Sequence, residues 1–271
     1  PPCEVDSAGN PWLPMPKSRI APSPSLPIAV IGMARRVPGA ISTHRFWRNL
    51  VEGRDCLSRP SADALRQAGI SQKRLAHPDF VRALPILDDV EHFDADFFDM
   101  SALEAEVTDP AQRLFLECAW ESLESAGVVP GRSGPVTGVF GGYEGNYREK
   151  VLSGVIDLRR DPGLSLPVRI GNAVDFLTTR VSHKLDLTGP SFGVMAACAT
   201  SLMAVDLAVQ SLRRGECEVA LAGGVTASAF GFDTAPVYAQ TQALKISRTT
   251  ETRSTCPYCS VSCGGIIHTL G

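Results

Sequence analysis

The sequence predicts an α/β domain on three observations. Short apolar runs bounded by glycine recur at 28–31, 136–141 and 219–222, the pattern of strands buried on both faces. Between them lie stretches whose apolar residues repeat at three and four, as on one side of a helix. In one place the change of period is abrupt: Phe192-Gly193-Val194-Met195-Ala196-Ala197 follows a Gly-Pro turn as a buried strand, and from Ser201 the residues Leu202, Val205, Ala208, Val209 and Leu212 take up the helical repeat. Gly215 stands where a C-terminal cap belongs, and Val219-Ala220-Leu221-Ala222, closed by Gly223-Gly224, completes a strand–helix–strand unit.

The remaining elements follow in order. Residues 1–27 hold eight prolines and no apolar period, which reads as an extended linker. Ile28-Ala29-Val30-Ile31 is a buried strand ending at Gly32. A helix is expected over about 43–52, capped by Ser42 or Thr43, with Phe46, Trp47 and Leu50 inward and Gly53 ending it. Residues 55–85 are polar and irregular. Asp109 is placed to cap a helix, Pro110 to occupy its first turn and Gly127 to close it. One row of that helix is Leu114, Cys118, Ser122 and Ser125 and another is Leu116, Trp120 and Leu123, so more than half of its circumference must be covered. A strand over 136–141 then reads as closed by a tight turn at Gly141-Gly142. Residues 143–170 are mixed, with Arg159 and Asp161 as solvated loop charges, and a helix over about 172–183 leads to the strand before Cys198.

Composition narrows the function. With 271 residues, 44% hydrophobic and 20% charged, the chain has the make-up of a globular protein of one large or two small domains. A net charge of -3 and a pI near 6.0 give no reason to expect nucleic acid as a partner. No apolar run reaches membrane-spanning length, and the opening PPCEVDSAGNPW lacks the basic and apolar blocks of a signal peptide, so a cytoplasmic protein is expected. Eight cysteines, at 3, 56, 118, 198, 217, 256, 259 and 263, are too scattered for a disulfide framework.

Cys198 sits where a strand gives way to a helix N-terminus, a position whose unpaired N–H groups favour an anion and can receive a developing oxyanion. A lone cysteine among small residues is ordinarily compact apolar filler, and spacing alone leaves filler and nucleophile both open. His183 precedes Cys198 by fifteen residues at a helix end, and His44, His77 and His92 lie on polar or loop stretches, so none reads as a partner for the thiol. Cys118, inside an apolar helix, reads as packing.

The residues themselves say more. The run from Arg180 to Val225, RVSHKLDLTGPSFGVMAACATSLMAVDLAVQSLRRGECEVALAGGV, closely resembles the nucleophile region of β-ketoacyl synthase domains of modular polyketide synthases. The segment from Glu91 to Gly127 resembles the DP-QRL-LE-AWE-LE-AG stretch of the same family, and IAVIGMARRVPGA its opening strand, with Arg35 where the family often has Cys. Ala196, Ala199 and Thr200 replace the Thr, Ser and Ser of the commonest signature, TACSSSL, by residues small enough to keep the turn. The likeness covers roughly 26–232. It implies the N-terminal half of a thiolase-like layered fold, with Cys198 as the catalytic residue that takes an acyl chain as a thioester from the phosphopantetheine of an acyl carrier protein, and with no bound cofactor or metal. It also implies a homodimer, or other polyketide synthase domains, as partner. The family's HGTGT-type and NKxxxGH-type loops, whose histidines serve decarboxylative condensation, occur nowhere in the sequence, so acyl transfer without condensation is expected. The implied plan is a linker at 1–27, a ketosynthase half at 28–232 and a divergent tail at 233–271.

In that tail Cys256, Cys259 and Cys263 form C-x2-C-x3-C beside Pro257, Gly264 and Gly265. The spacing suits an iron–sulfur cluster better than structural zinc, and the tail is similar to the amino-terminal cluster segment of molybdopterin-dependent formate dehydrogenases over fewer than thirty residues. A cubane cluster takes four thiolates, and Cys217 belongs to a helix end, so an unmetallated appendage is expected. Two other readings stay open, an inactive remnant or interaction module and an iron–sulfur oxidoreductase fragment.

Overall fold

The computed structural model describes residues 27–87, 90, 92–145, 147–148, 152–227, 254–255 and 263–270, with residues 226–227 and the last two segments described by backbone alone. A five-stranded sheet forms the centre, in the order β1 (Ile28–Met33), β7 (Cys263–Leu270), β5 (Val219–Ala227), β3 (Thr137–Gly145) and β4 (Ser191–Gly193). β3 pairs in parallel with both β4 and β5, while β7 runs antiparallel between β1 and β5. A second, two-stranded pairing joins β2 (Ile86–Leu87) to β6 (Ser254–Thr255).

Because strand side chains alternate, the central strands feed two cores. Val139 and Tyr143 of β3 with Val219, Leu221 and Val225 of β5 pack under α5 (Pro110–Ala126) and α8 (Asp175–Lys184). On the other side Phe140, Ala220 and Ala222 meet Ala204, Ala208 and Leu212 of α9 (Thr200–Arg213). The first core holds large side chains, Phe115, Leu116 and Leu123 among them, and half of the second is alanine. α5 lies so close to β3 that a Cβ on Gly141 would stand 2.6 Å from the Phe115 ring.

The helix ends obey their sequence signals. Asp109 accepts from the Ala111 N–H at 2.8 Å, Pro110 takes the first turn, and Gly127 ends α5 with φ 67°. Ser42 caps α1 (Thr43–Val51). The expected inward face of α1 does not hold, since Trp47 is 65% and Leu50 55% exposed and Asn49 is its buried residue. An apolar stripe states that a face can be covered, and here Arg35 lies 3.7 Å over the Phe46 ring while Trp47 and Leu50 stay open. β1 carries Val30 outward at the sheet's edge, against the expectation of a buried strand. The stretch 55–85 is less irregular than its polarity suggests: α2 (Ala62–Gln67) and α3 (Gln72–Leu75) form there, each capped by a serine, Ser61 and Ser71. Further on come α4 (Ala102–Val107), α6 (Ser153–Val155) and α7 (Ser165–Asn172), and the ion pair in that loop region is Arg160 with Asp157. The helix expected over 172–183 starts at Asp175.

Gly141-Gly142 and Gly223-Gly224 do not turn the chain. β3 continues through the first pair to Gly145 and β5 through the second to Ala227. No helix among the described residues is long and apolar enough to cross a membrane.

Candidate functional site

The site is built on the connection from β4 to α9. β4 is three residues long, an edge strand with Phe192 53% exposed and stacked on Phe140, so the buried strand read over 192–197 is a short, half-open one. After it the Val194 N–H donates to the Gly141 carbonyl at 2.8 Å, which draws the chain across the end of β3. A single 3-10 turn, Ala197–Ala199, then enters α9. Ala197 has φ 46°, a left-handed conformation that an L side chain adopts at a cost of about 1 kcal/mol. Two hydrogen bonds hold the turn in that shape: Ala199 N–H to the Ala196 carbonyl and Ala196 N–H to Thr200 Oγ1, both 2.9 Å. Those two amides are occupied by the turn itself. Cys198 is left at its apex, exposed to solvent.

Beneath the turn the sheet presents bare backbone. Gly142 of β3 and Gly224 of β5 are paired in register. A Cβ on Gly142 would fall 1.8 Å from the Val194 carbonyl oxygen, and one on Gly224 would fall 2.8 Å from Ser201 Oγ. A side chain on Gly142 would push the elbow away from the sheet, so glycine is required there by close approach, while at Gly224 the Ser201 side chain would have to turn aside.

Around Cys198 opens a cleft of about 200 Å³, walled by Tyr143, Glu144, Met195, Thr200 and Val225. Tyr143 is fixed from behind. Its hydroxyl donates to the Asn172 carbonyl at 2.6 Å and accepts from Gln112 Nε2 at 3.0 Å. Gln112 in turn accepts from Arg180 Nε at 3.1 Å, and Arg180 Nη1 reaches Glu104 Oε1 at 2.6 Å. This chain of polar groups from α8, α5 and α4 is nearly all buried, with every link bonded, which locks the Tyr143 side chain in the core under α5 and α8, behind the cleft.

Of the cysteines and histidines singled out in the sequence, Cys198 alone among the described residues lines this cleft. Cys118 is buried in α5, where burial pushes its thiol up to about 12. Cys217 is buried as well, its thiol raised by desolvation, and lies 3.6 Å from Ser211 Oγ. His183 is exposed in the last turn of α8, and His44 lies 2.9 Å from Arg48 Nη2 on α1. Among the described residues no three His, Cys, Asp or Glu side chains gather as a metal site. Cys256 and Cys259 lie outside the described residues, and Cys263 is seen only as backbone at the start of β7. Thr200, Gly142, Gly224, Tyr143 and Glu144 were not legible as site residues. Thr200 had a signal, a hydroxyl four residues after Ala196, while Tyr143 and Glu144 had none.

The sequence profile described as "Beta-ketoacyl synthase, N-terminal domain" matches residues 25–255. A phenolphthiocerol/phthiocerol polyketide synthase component of Mycobacterium tuberculosis is 45% identical over 212 residues, 74% of this chain and 14% of that protein. The pikromycin polyketide synthase component PikAII of Streptomyces venezuelae is 42% identical over 209 residues, 74% of this chain and 5% of that one. The chain therefore spans a small part of the relatives it matches. Among solved structures, ketosynthase twelve of the bacillaene polyketide synthase of Bacillus amyloliquefaciens superimposes with a TM-score of 0.69 at 28% identity, over 90% of this chain and 43% of that one. The ketosynthase from module 1 of the bacillaene synthase of the same species gives a TM-score of 0.61 at 35% identity, over 73% and 34% of the two chains.

Proposed function

Given that this chain belongs to the β-ketoacyl synthase family and carries the N-terminal part of its thiolase-like fold, we propose that Cys198 accepts acyl chains as thioesters in polyketide assembly. The observation that carries this reading is the exposed thiol at the apex of a strained turn, in a cleft floored by Gly142 and Gly224. The acyl chain arrives on the phosphopantetheine of an acyl carrier protein. Cys198 Sγ attacks the thioester carbonyl carbon, and the carbon–sulfur bond to the carrier breaks. The carrier sulfur leaves with the proton that Cys198 gave up. The Cys198 N–H, at the start of α9, is the group we assign to the oxyanion.

Residues 28–232 make up the acyl-accepting part in this reading. The 271 residues contain neither histidine loop of the family, so the chain as it stands acylates without condensing. Formation of a β-ketoacyl product by this chain alone would overturn that step. Other polyketide synthase domains and a second copy are the partners. Among the described residues β4 ends the sheet, and this edge with the exposed Phe192 supports pairing between copies.

Intact mass after incubation with a small acyl thioester tests the reading. One adduct is expected, lost in Cys198→Ala, and spectra recorded under native conditions should show a dimer. An adduct that persists in the variant would sink the assignment of Cys198, and a monomer would sink the pairing.

A further inference from the structure

Beside the thiol, the cleft wall carries one acidic side chain. Glu144 lies at the C-terminal end of β3, in register with Thr226 of β5, where the strand leaves the core and its side chains turn to solvent. Tyr143, its neighbour, directs its hydroxyl away to Asn172 and Gln112. Among the described residues lining the cleft, Met195, Val225 and the alanine and glycine positions contribute no charge, so Glu144 supplies the ionised side chain there, set against the positive N-terminal end of α9. Among the described residues no cation is paired with it, whereas the buried Arg180 and Lys184 converge on another acid, Glu104.

We infer that Glu144 is a specificity-determining residue, selecting against acyl chains that bear a carboxylate and in favour of neutral or amine-bearing ones. The inference rests on Cys198 being the acyl acceptor. A short acyl group on Cys198 stays inside the cleft of about 200 Å³ that Glu144 also lines. A carboxylate at the far end of that group meets a like charge through partly screened space, which slows its transfer on the order of tenfold relative to a neutral chain of the same shape. The chemistry is the same exchange in each case: the Cys198 thiol becomes a thioester and the carrier thiol is released. The consequence is that a dicarboxylate-derived unit, the kind used to extend a chain, is kept off the thiol that holds the growing chain.

The test compares the full chain and Glu144→Gln in acyl transfer from the N-acetylcysteamine thioesters of isovalerate and malonate. These two acyl groups have the same branched skeleton and differ in charge, and intact mass separates both adducts from any decarboxylated product. The expected result is an initial-rate ratio of about ten in favour of isovaleryl, falling towards one in Glu144→Gln. A second readout needs no variant: in the unaltered protein the ratio should shrink as salt is raised, because the repulsion is exposed to screening. Equal rates for the two thioesters, or a ratio unmoved by both the substitution and salt, overturns the role of Glu144 while leaving Cys198 as acceptor. No adduct from either thioester, or adducts that survive Cys198→Ala, overturns the acceptor reading and this inference with it.

Discussion

α5 and α9 lie against opposite faces of one sheet, yet ten of the seventeen residues of α5 are buried and only four of the fourteen of α9. α5 is covered by β1, β7, β5 and α8 and holds Phe115, Leu116 and Leu123 without exposure. α9 touches the sheet through a narrow row, Ala204, Ala208, Ser211 and Leu212, and turns Leu202 and Met203 outward beside the thiol. The difference separates two uses of a helix. One is a pillar whose side chains fill space, and the other is a bracket whose first turn has to stay close to the sheet while its outer side stays open. Small residues serve the second purpose because they let the helix axis approach.

The sharpest way to break this comparison is to cut one large side chain from each helix. Phe115→Ala should lower stability by about 3–5 kcal/mol, since it empties a fully buried site. Leu202→Ala, at a position 76% exposed, should change it by no more than about 0.5 kcal/mol. Urea unfolding of the two variants checks both, and similar losses would mean that α9 carries more of the fold than its burial shows.

A smaller effect comes from acid on the α5 side. Burial pushes the Glu117 carboxyl up to about 7, opposed by Arg36 and Arg113 and reinforced by Glu121 and Asp94. The folded value lies above the ordinary 4.5, so this carboxyl's contribution is complete below that pH and is lost as pH rises through 7. Over that window stability should fall by on the order of 2 kcal/mol after allowance for its partial exposure. Denaturation midpoints of Glu117→Gln should be flatter with pH than those of the parent. A slope that persists in the variant would place its origin elsewhere.

The smallest effect belongs to the bracket. Thr200→Val keeps the shape but removes the acceptor for the Ala196 N–H, costing about 1 kcal/mol. Because the bond holds the elbow, acylation of Cys198 should slow more than global stability suggests. A labelling rate equal to the parent's would show that the turn is held without it.

The same contrast explains what could be read in advance. Asp109, Pro110 and Gly127 mark the ends of α5 by rules that act within a few residues, and its double row of apolar positions can only mean burial on two sides. The elbow was legible as a change of period at Cys198. Its floor was not: Gly141-Gly142 and Gly223-Gly224 read as turns, because a sequence does not show whether a glycine bends the chain or admits a neighbour. The outward residues Trp47, Leu50 and Leu202 failed for a related reason. Periodicity reports that a helix has an apolar side, whereas coverage depends on what stands opposite. Tyr143 and Glu144 reach the site because β3 runs on past Gly142 to Gly145, a length that the glycines concealed.

The in-register pair Gly142 and Gly224 also sets limits on how such a cleft diversifies. A gene library that varied every wall position would lose its members at Gly142, where the Val194 backbone fills the space a side chain would need, and would be constrained at Gly224 by the Ser201 side chain. Variation is left to the exposed rim, at Glu144 and Met195, since Tyr143 and Val225 are buried in the core under α5 and α8. New acyl preferences can therefore be sought by exchanging side chains at two positions while the floor that presents the thiol is inherited unchanged.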